Sequence, residues 1–275
     1  MKRILTELFF LVLIILSTNT TYALKVGGLE NPQSVIVDPV TGIYYISGHS
    51  DSTGFIWQVN PNGIRAIFIE GGKKGIALNS PKGLLISRDQ IYVADRKSIR
   101  RFDKTTGASL GIIDLLGIGG NTLQGLTFSN DNQLFVTDGP RNSIYKIDTR
   151  NTYKVSILIR SSKLNYPTGI TFDFARKRLI VLSKNNILSV GMDGKITSII
   201  KRTFKNLSGV CWDRQGNLLV ADRGAGKVYR IRNFSLVETV RENILEPADI
   251  FFYYSKNQVL IPSTKGKLVF DLPLK

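Results

Sequence analysis

A repeat restricts this chain more than any other feature of its sequence. Six segments share one order: a Pro or Leu, a variable residue, a small residue, an apolar run, a turn, a second apolar run ending in a small or acidic residue, and a third run. They read NPQSVIVDPVTGIYYISG from Asn31, SPKGLLISRDQIYVADRKSIRRFD from Ser80 and LQGLTFSNDNQLFVTDGPRNSIYKID from Leu123. The others are YPTGITFDFARKRLIVLSKNNILSV from Tyr166, LSGVCWDRQGNLLVADRGAGKVYRI from Leu207 and EPADIFFYYSKNQVLIPSTKGKLVF from Glu246. The aligned small residues are Ser34, Gly83, Gly125, Gly169, Gly209 and Asp249, spaced by 49, 42, 44, 40 and 40 residues.

The runs are short, rich in Val, Ile, Tyr and Phe, and punctuated by turns such as Asp131-Asn132-Gln133, so they read as strands. A fourth run closes each of the first five units, at 64–70, 110–115, 154–159, 195–200 and 235–240. Four strands in about 40 to 45 residues is the period of one propeller blade. The expected fold is therefore all-β: a six-bladed β-propeller of four-stranded antiparallel blades over 24–275, with repeats starting near 31, 80, 123, 166, 207 and 246. The sixth repeat has only three strands, while Leu24-Lys25-Val26-Gly27 is strand-like and belongs to no repeat. That piece is expected to complete the last blade and close the ring.

The segments resemble NHL repeats. The resemblance rests on the Pro-x-Gly-apolar-Asp opening and on the Val-Ala-Asp element, best kept in Tyr92-Val93-Ala94-Asp95 and Leu219-Val220-Ala221-Asp222. It covers all six units and implies a propeller of the SMP-30/gluconolactonase-like superfamily. For function it leaves three classes open: lactonases, strictosidine synthase-like enzymes and non-catalytic binders.

The start of the chain has the three-part pattern of a secretory signal peptide. Lys2 and Arg3 precede an apolar core over 8–16, and Thr21 and Ala23 are the small residues before a cleavage site after Ala23. The core is shorter than the ~20 apolar residues of a membrane span. The expectation is a leader over 1–23 and a periplasmic or secreted mature chain with no transmembrane segment. An uncleaved anchor is the alternative. A single cysteine, Cys211, excludes an intramolecular disulfide, which suits a bacterial periplasm if a large core stabilises the domain unaided.

The formal charge of +16 points to anionic partners. Export argues against nucleic acid, leaving an anionic small molecule, a glycan, a lipid head group or an acidic protein, bound by a monomer. Alternation of strand direction within a blade places the residue before each small residue at one mouth of the channel: Gln33, Lys82, Gln124, Thr168, Ser208 and Ala248. The second strands end on the same face, followed by His49, Arg96, Arg141, Lys184, Arg223 and Lys265, with Lys97 and Lys227 nearby. The expected ligand-binding residues are thus Lys82, Arg96, Arg141, Lys184, Arg223, His49, Gln33 and Gln124. The alternative is structural: Arg96 and Arg223 would pair with the aspartates of the repeat. Asp95, Asp138 and Asp222 recur at one repeat position, so they read as acceptors of backbone hydrogen bonds at a turn.

Catalytic readings find little support in the residues. The SMP-30-like resemblance implies a divalent cation held by a Glu, an Asn and an Asp. Glu30 matches the first, but Thr168 and Ser208 stand at the other two positions, and neutral hydroxyls replace a carboxylate poorly around a hard cation. No metal, cofactor or catalytic residue is expected, although a lactonase-type hydrolase with an altered site, or a scaffold protein, remains an alternative to an anion-binding propeller. His49, the only histidine, has no Ser or Cys nucleophile beside it in sequence. Cys211, Trp57 and Trp212 fall in apolar strands and read as packing residues. The glycine-rich stretch 117–120 reads as a connector between blades.

Overall fold

A computed structural model describes residues 24–150, 152–200 and 202–274. The leader expected over 1–23 lies outside the described residues. Six four-stranded antiparallel sheets form the blades of a propeller.

The first strand, β1 (Lys25–Gly27), does not belong to the first blade. Blade 1 is β2 (Ser34–Val37), β3 (Tyr44–His49), β4 (Gly54–Val59) and β5 (Arg65–Glu70). Blade 2 runs from β6 (Pro81–Ser87) through β7 (Gln90–Asp95) and β8 (Ser98–Asp103) to β9 (Ser109–Asp114). Blade 3 holds β10 (Leu123–Phe128), β11 (Gln133–Asp138), β12 (Ser143–Asp148) and β13 (Lys154–Arg160). Blade 4 has β14 (Ile170–Asp173), β15 (Arg178–Leu182), β16 (Ile187–Val190) and a short β17 (Ile196–Ser198). Blade 5 is β18 (Leu207–Trp212), β19 (Leu218–Asp222), β20 (Lys227–Arg232) and β21 (Leu236–Arg241). Blade 6 contains β22 (Phe251–Tyr253), β23 (Gln258–Ser263) and β24 (Leu268–Pro273), and β1 is its outer strand.

The closure expected from the sequence is therefore present, with Lys25, Val26 and Gly27 paired to Phe270, Val269 and Leu268. Val26 is buried between blades 6 and 1, in a cluster with Leu29, Val35, Ile46, Trp57, Leu260 and Val269. Every other pair of neighbouring blades encloses an apolar cluster of its own, so the core is six slabs rather than one ball. This follows from period-2 alternation: each sheet has two faces, and each face meets the next blade.

The first strands of the six blades pack on one another around the channel. The small residue of each repeat makes that approach possible. A Cβ on Gly83 would lie 2.5 Å from Gln124 O, and one on Gly209 2.5 Å from Ile250 N. Carbon atoms do not come that close to backbone, so Gly83 and Gly209 must be glycine where their inner strands touch the next. No helix among the described residues is long and apolar enough to cross a membrane.

Candidate functional site: the channel mouth

At one end of the channel a cavity of about 140 Å³ is lined by residues of all six blades. Its lining includes Gln33, Lys82, Gln124, Thr168, Ser208 and Ala248, the six positions assigned to the mouth from the repeat. Local backbone explains how they face inward. In blades 2, 3 and 5 the pairing of the first two strands shifts register between Pro81 and Leu84, Leu123 and Leu126, and Leu207 and Val210. Each irregularity falls on the mouth residue and its glycine. Such bulges bend a strand and re-aim a side chain.

The charges do not converge as a ring. Lys82 and Arg223 line the cavity, but Arg96, Arg141 and Lys184 are exposed and lie outside its lining. Turn length accounts for the contrast between two equivalent arginines. In blade 2 a two-residue turn, Arg96-Lys97, joins Asp95 to its partner Ser98, and Arg96 takes φ 51°. In blade 5 the turn from Asp222 to Lys227 is longer and holds Gly224 and Gly226, and Arg223 reaches the mouth. Lys265 is paired with Glu246 at 2.7 Å and Lys227 with Glu242 at 3.0 Å.

Lys82 and Arg223 are held in an unfavourable environment. Burial, with the neighbouring Arg223 charge, lowers the Lys82 ammonium from 10.5 to about 8. Burial also lowers Arg223, against the opposing pull of Glu246 and Tyr166. The Lys82 ammonium donates to Gln124 Oε1 at 3.1 Å, whereas Arg223 Nε is buried with no hydrogen-bond partner among the described residues. Two cations of the same sign therefore border one small cavity, and one of them has a spare donor.

His49 is part of a polar chain leading to the mouth. Gln33 Nε2 donates to Asn31 Oδ1 at 2.7 Å, and Asn31 Nδ2 lies 3.0 Å from His49 Nε2. His49 Nδ1 lies 3.0 Å from Ser50 O. An acceptor role for Nε2 and a donor role for Nδ1 satisfy both contacts with a neutral imidazole. The ring thus orients Gln33 through Asn31.

The repeat aspartates hold turns. Asp95 accepts from Asn79 N and Ser80 N, Asp138 from Asn121 N and Thr122 N, and Asp222 from Lys205 N and Asn206 N. Each carboxylate thereby fixes the segment entering its own blade. Arg96 and Arg223 form no ion pair with them among the described residues; the partner of Asp95 is Arg100, at 3.5 Å.

The mouth is poorly suited to a divalent cation: Asp249 is the one carboxyl in its lining, which also holds Lys82 and Arg223. Thr168 Oγ1 donates to Leu207 O at 3.1 Å and Ser208 Oγ to Pro247 O at 2.8 Å, so both hydroxyls are committed to backbone of the next blade. Glu30 is exposed and outside the cavity lining. Among the described residues no three His, Cys, Asp or Glu side chains are grouped as a metal site would require.

Sequence reading missed Asp249. It occupies the repeat position of a small residue, and its acidity was the available signal. Asp249 lines the mouth cavity and also a second cavity of about 590 Å³ farther along the channel. Burial raises it from 3.8 to about 7, opposed only by a hydrogen bond from Ser34. Cys211 and Trp212 also border the second cavity rather than being enclosed in the core, and Trp212 Nε1 donates to Phe172 O at 2.9 Å. Trp57 is buried as expected.

No protein-family model matches the chain, and no curated protein matches it in sequence. Solved structures do match in fold. Virginiamycin B lyase from Staphylococcus aureus is 17% identical with a TM-score of 0.65, over 92% of this chain and 99% of that one. A calcium-binding protein, regucalcin, from Agrobacterium tumefaciens is 16% identical with a TM-score of 0.70, over 89% and 90%. An auxiliary nutrient binding protein from Bacteroides thetaiotaomicron is 10% identical with a TM-score of 0.70, over 89% and 69%. At these identities the likeness is one of fold alone.

Proposed function

We propose that this chain is an exported, NHL-like propeller that binds a small anion, or the anionic group of a larger ligand, at the channel mouth without chemical conversion. The observation that carries this reading is the pair Lys82 and Arg223, both lining one cavity, both lowered by burial, with Arg223 Nε unpartnered. An anion between them would relieve their repulsion and use the spare donor. Gln33 and Gln124 supply neutral polar groups at the same mouth. The cavity volume of about 140 Å³ is roughly that of five waters in the liquid, which suits a phosphate or small carboxylate. A fold neighbour described as a nutrient binding protein is consistent with small-molecule binding. The leader pattern over 1–23 supports export, and the Pro-x-Gly openings with the Val-Ala-Asp elements support the NHL-like description.

Thermal shift with inorganic phosphate, sulfate and acetate at low salt tests the reading. Stabilisation is expected in the wild type and is lost in Lys82→Gln/Arg223→Gln. It is retained in Arg96→Gln/Arg141→Gln/Lys184→Gln, whose cations lie outside the cavity. Equal losses in the two multiple variants would mean a diffuse basic surface, and the reading would be wrong.

A further inference from the structure

The second cavity differs in chemistry from the mouth. It occupies the other end of the channel, about 590 Å³ in volume, within the range of small-molecule sites. The inner strands form its wall, where Leu85, Ile86, Trp212 and Phe251 are half-buried lining residues. At its outer edge Phe174 is 59% exposed and Tyr254 54% exposed. This is a funnel with apolar walls and an aromatic rim.

Its one carboxyl without an ionic partner is Asp249, where the funnel meets the mouth cavity. The only hydrogen bond to that carboxyl among the described residues comes from Ser34 Oγ, at 2.9 Å, and no ion pair is formed there. The other titratable groups around the funnel are accounted for. Asp38 is paired with Lys104 at 3.3 Å, Cys211 is pushed well up by burial and stays a neutral thiol, and Tyr254 is raised likewise. Arg88 is exposed at the rim, and Lys82 and Arg223 belong to the mouth side.

A carboxyl at the end of an apolar passage selects a ligand that carries a cation and a hydrocarbon body. We propose that the funnel binds a primary alkylammonium ion, with the ammonium on the Asp249 carboxylate and the chain along the apolar wall. The positive net charge of the protein does not decide against this. Exposed charges beyond a Debye length of ~8 Å are screened, whereas a contact at an effective dielectric near 20 is roughly four times stronger than in water. Ionisation of Asp249 and amine binding are mutually reinforcing, because each favours the charged carboxylate.

Calorimetric titration of the full chain with n-hexylamine, n-hexanol and hexanoate, at pH 8 and pH 5, tests the proposal. At pH 8 hexylamine is expected to bind about tenfold more tightly than hexanol. The preference falls about tenfold or more at pH 5, where Asp249 is protonated while the amine remains charged. Hexanol affinity should not change between the two. Asp249→Asn should abolish the preference at pH 8, and if that variant does not fold, the wild-type pH comparison decides alone. Tightest binding by hexanoate would assign the funnel to Arg88 and Lys104 at the rim and overturn the proposal. So would an amine affinity that is independent of pH, or an absence of hexylamine binding. Asp249 borders both cavities, so the two readings are told apart by their variants: loss of phosphate stabilisation in Lys82→Gln/Arg223→Gln tests the mouth, and loss of the amine preference in Asp249→Asn tests the funnel.

Discussion

Ser34 Oγ donates a 2.9 Å hydrogen bond to Asp249 Oδ2, joining two residues 215 positions apart across the seam between the last blade and the first. Ser34 Oγ also accepts from Leu84 N at 3.3 Å. Four of the six inner-strand positions at this level are glycines, so the seam is where side chains replace bare backbone.

That carboxyl should make stability depend on pH in an uncommon direction. Asp249 titrates at about 7 in the folded chain against an ordinary 3.8. Between these values the folded state holds a proton that the unfolded state has released, so its contribution is full below about 4 and lost as pH rises through 7. Urea denaturation of wild type and Asp249→Asn at pH 5 and pH 8 checks this. The variant should be the more stable of the two at pH 8, by roughly 2–4 kcal/mol on the scale of 1.36 kcal/mol per unit, and the difference should shrink at pH 5.

Lys82 carries the opposite sign of shift. Its folded value of about 8 lies below the ordinary 10.5, so between them the unfolded chain binds the extra proton and stability rises with pH. Lys82→Gln should raise the melting temperature at pH 7 and remove that component of the rise between pH 8 and 10.5. A variant less stable than wild type at pH 7 in phosphate-free buffer would contradict this account.

The glycines between inner strands should not tolerate a methyl group. At Gly209 a Cβ would meet Ile250 N, Ala248 O and the Asp249 Cα at 2.5, 2.6 and 2.7 Å. Gly209→Ala is expected to cost about 1–3 kcal/mol or more, as overpacking does. Gly117→Ala, where a Cβ would have nothing within 4 Å, should be near neutral. Equilibrium denaturation of the pair measures the contrast.

Loss of the closing strand should be severe. Val26 is 6% exposed in the cluster between blades 6 and 1, and β1 supplies the outer edge of blade 6. Val26→Asp places a carboxylate in that cluster and should cost about 3 kcal/mol or more, seen as a lower melting temperature. An unchanged melting temperature would remove β1 from the stabilising core.

Calcium, zinc and manganese should leave the melting temperature unchanged. Thr168 and Ser208 donate to backbone carbonyls of neighbouring blades, and a ligand stabilises only when it prefers the native state. A metal-dependent rise, sensitive to a chelator, would show a site that these hydroxyls do not predict.

Blade number, strand order and ring closure were legible in the sequence because they are local or periodic. Alternation marks each strand, the small residue marks each inner contact, and Lys25-Val26-Gly27 stands out as a strand without a repeat. The six mouth positions were legible for the same reason, since one repeat position maps to one place in every blade. Which cations reach that mouth was decided by tertiary structure. Arg96 and Arg223 follow the same repeat aspartate, yet a two-residue turn leaves the first outside and a longer glycine-containing turn brings the second in. Asp249 shows the limit most clearly. In the sequence it is one more small residue of the repeat; in the ring its carboxyl is desolvated by blades brought together over more than 200 residues of chain, and burial, which no local pattern encodes, sets its charge.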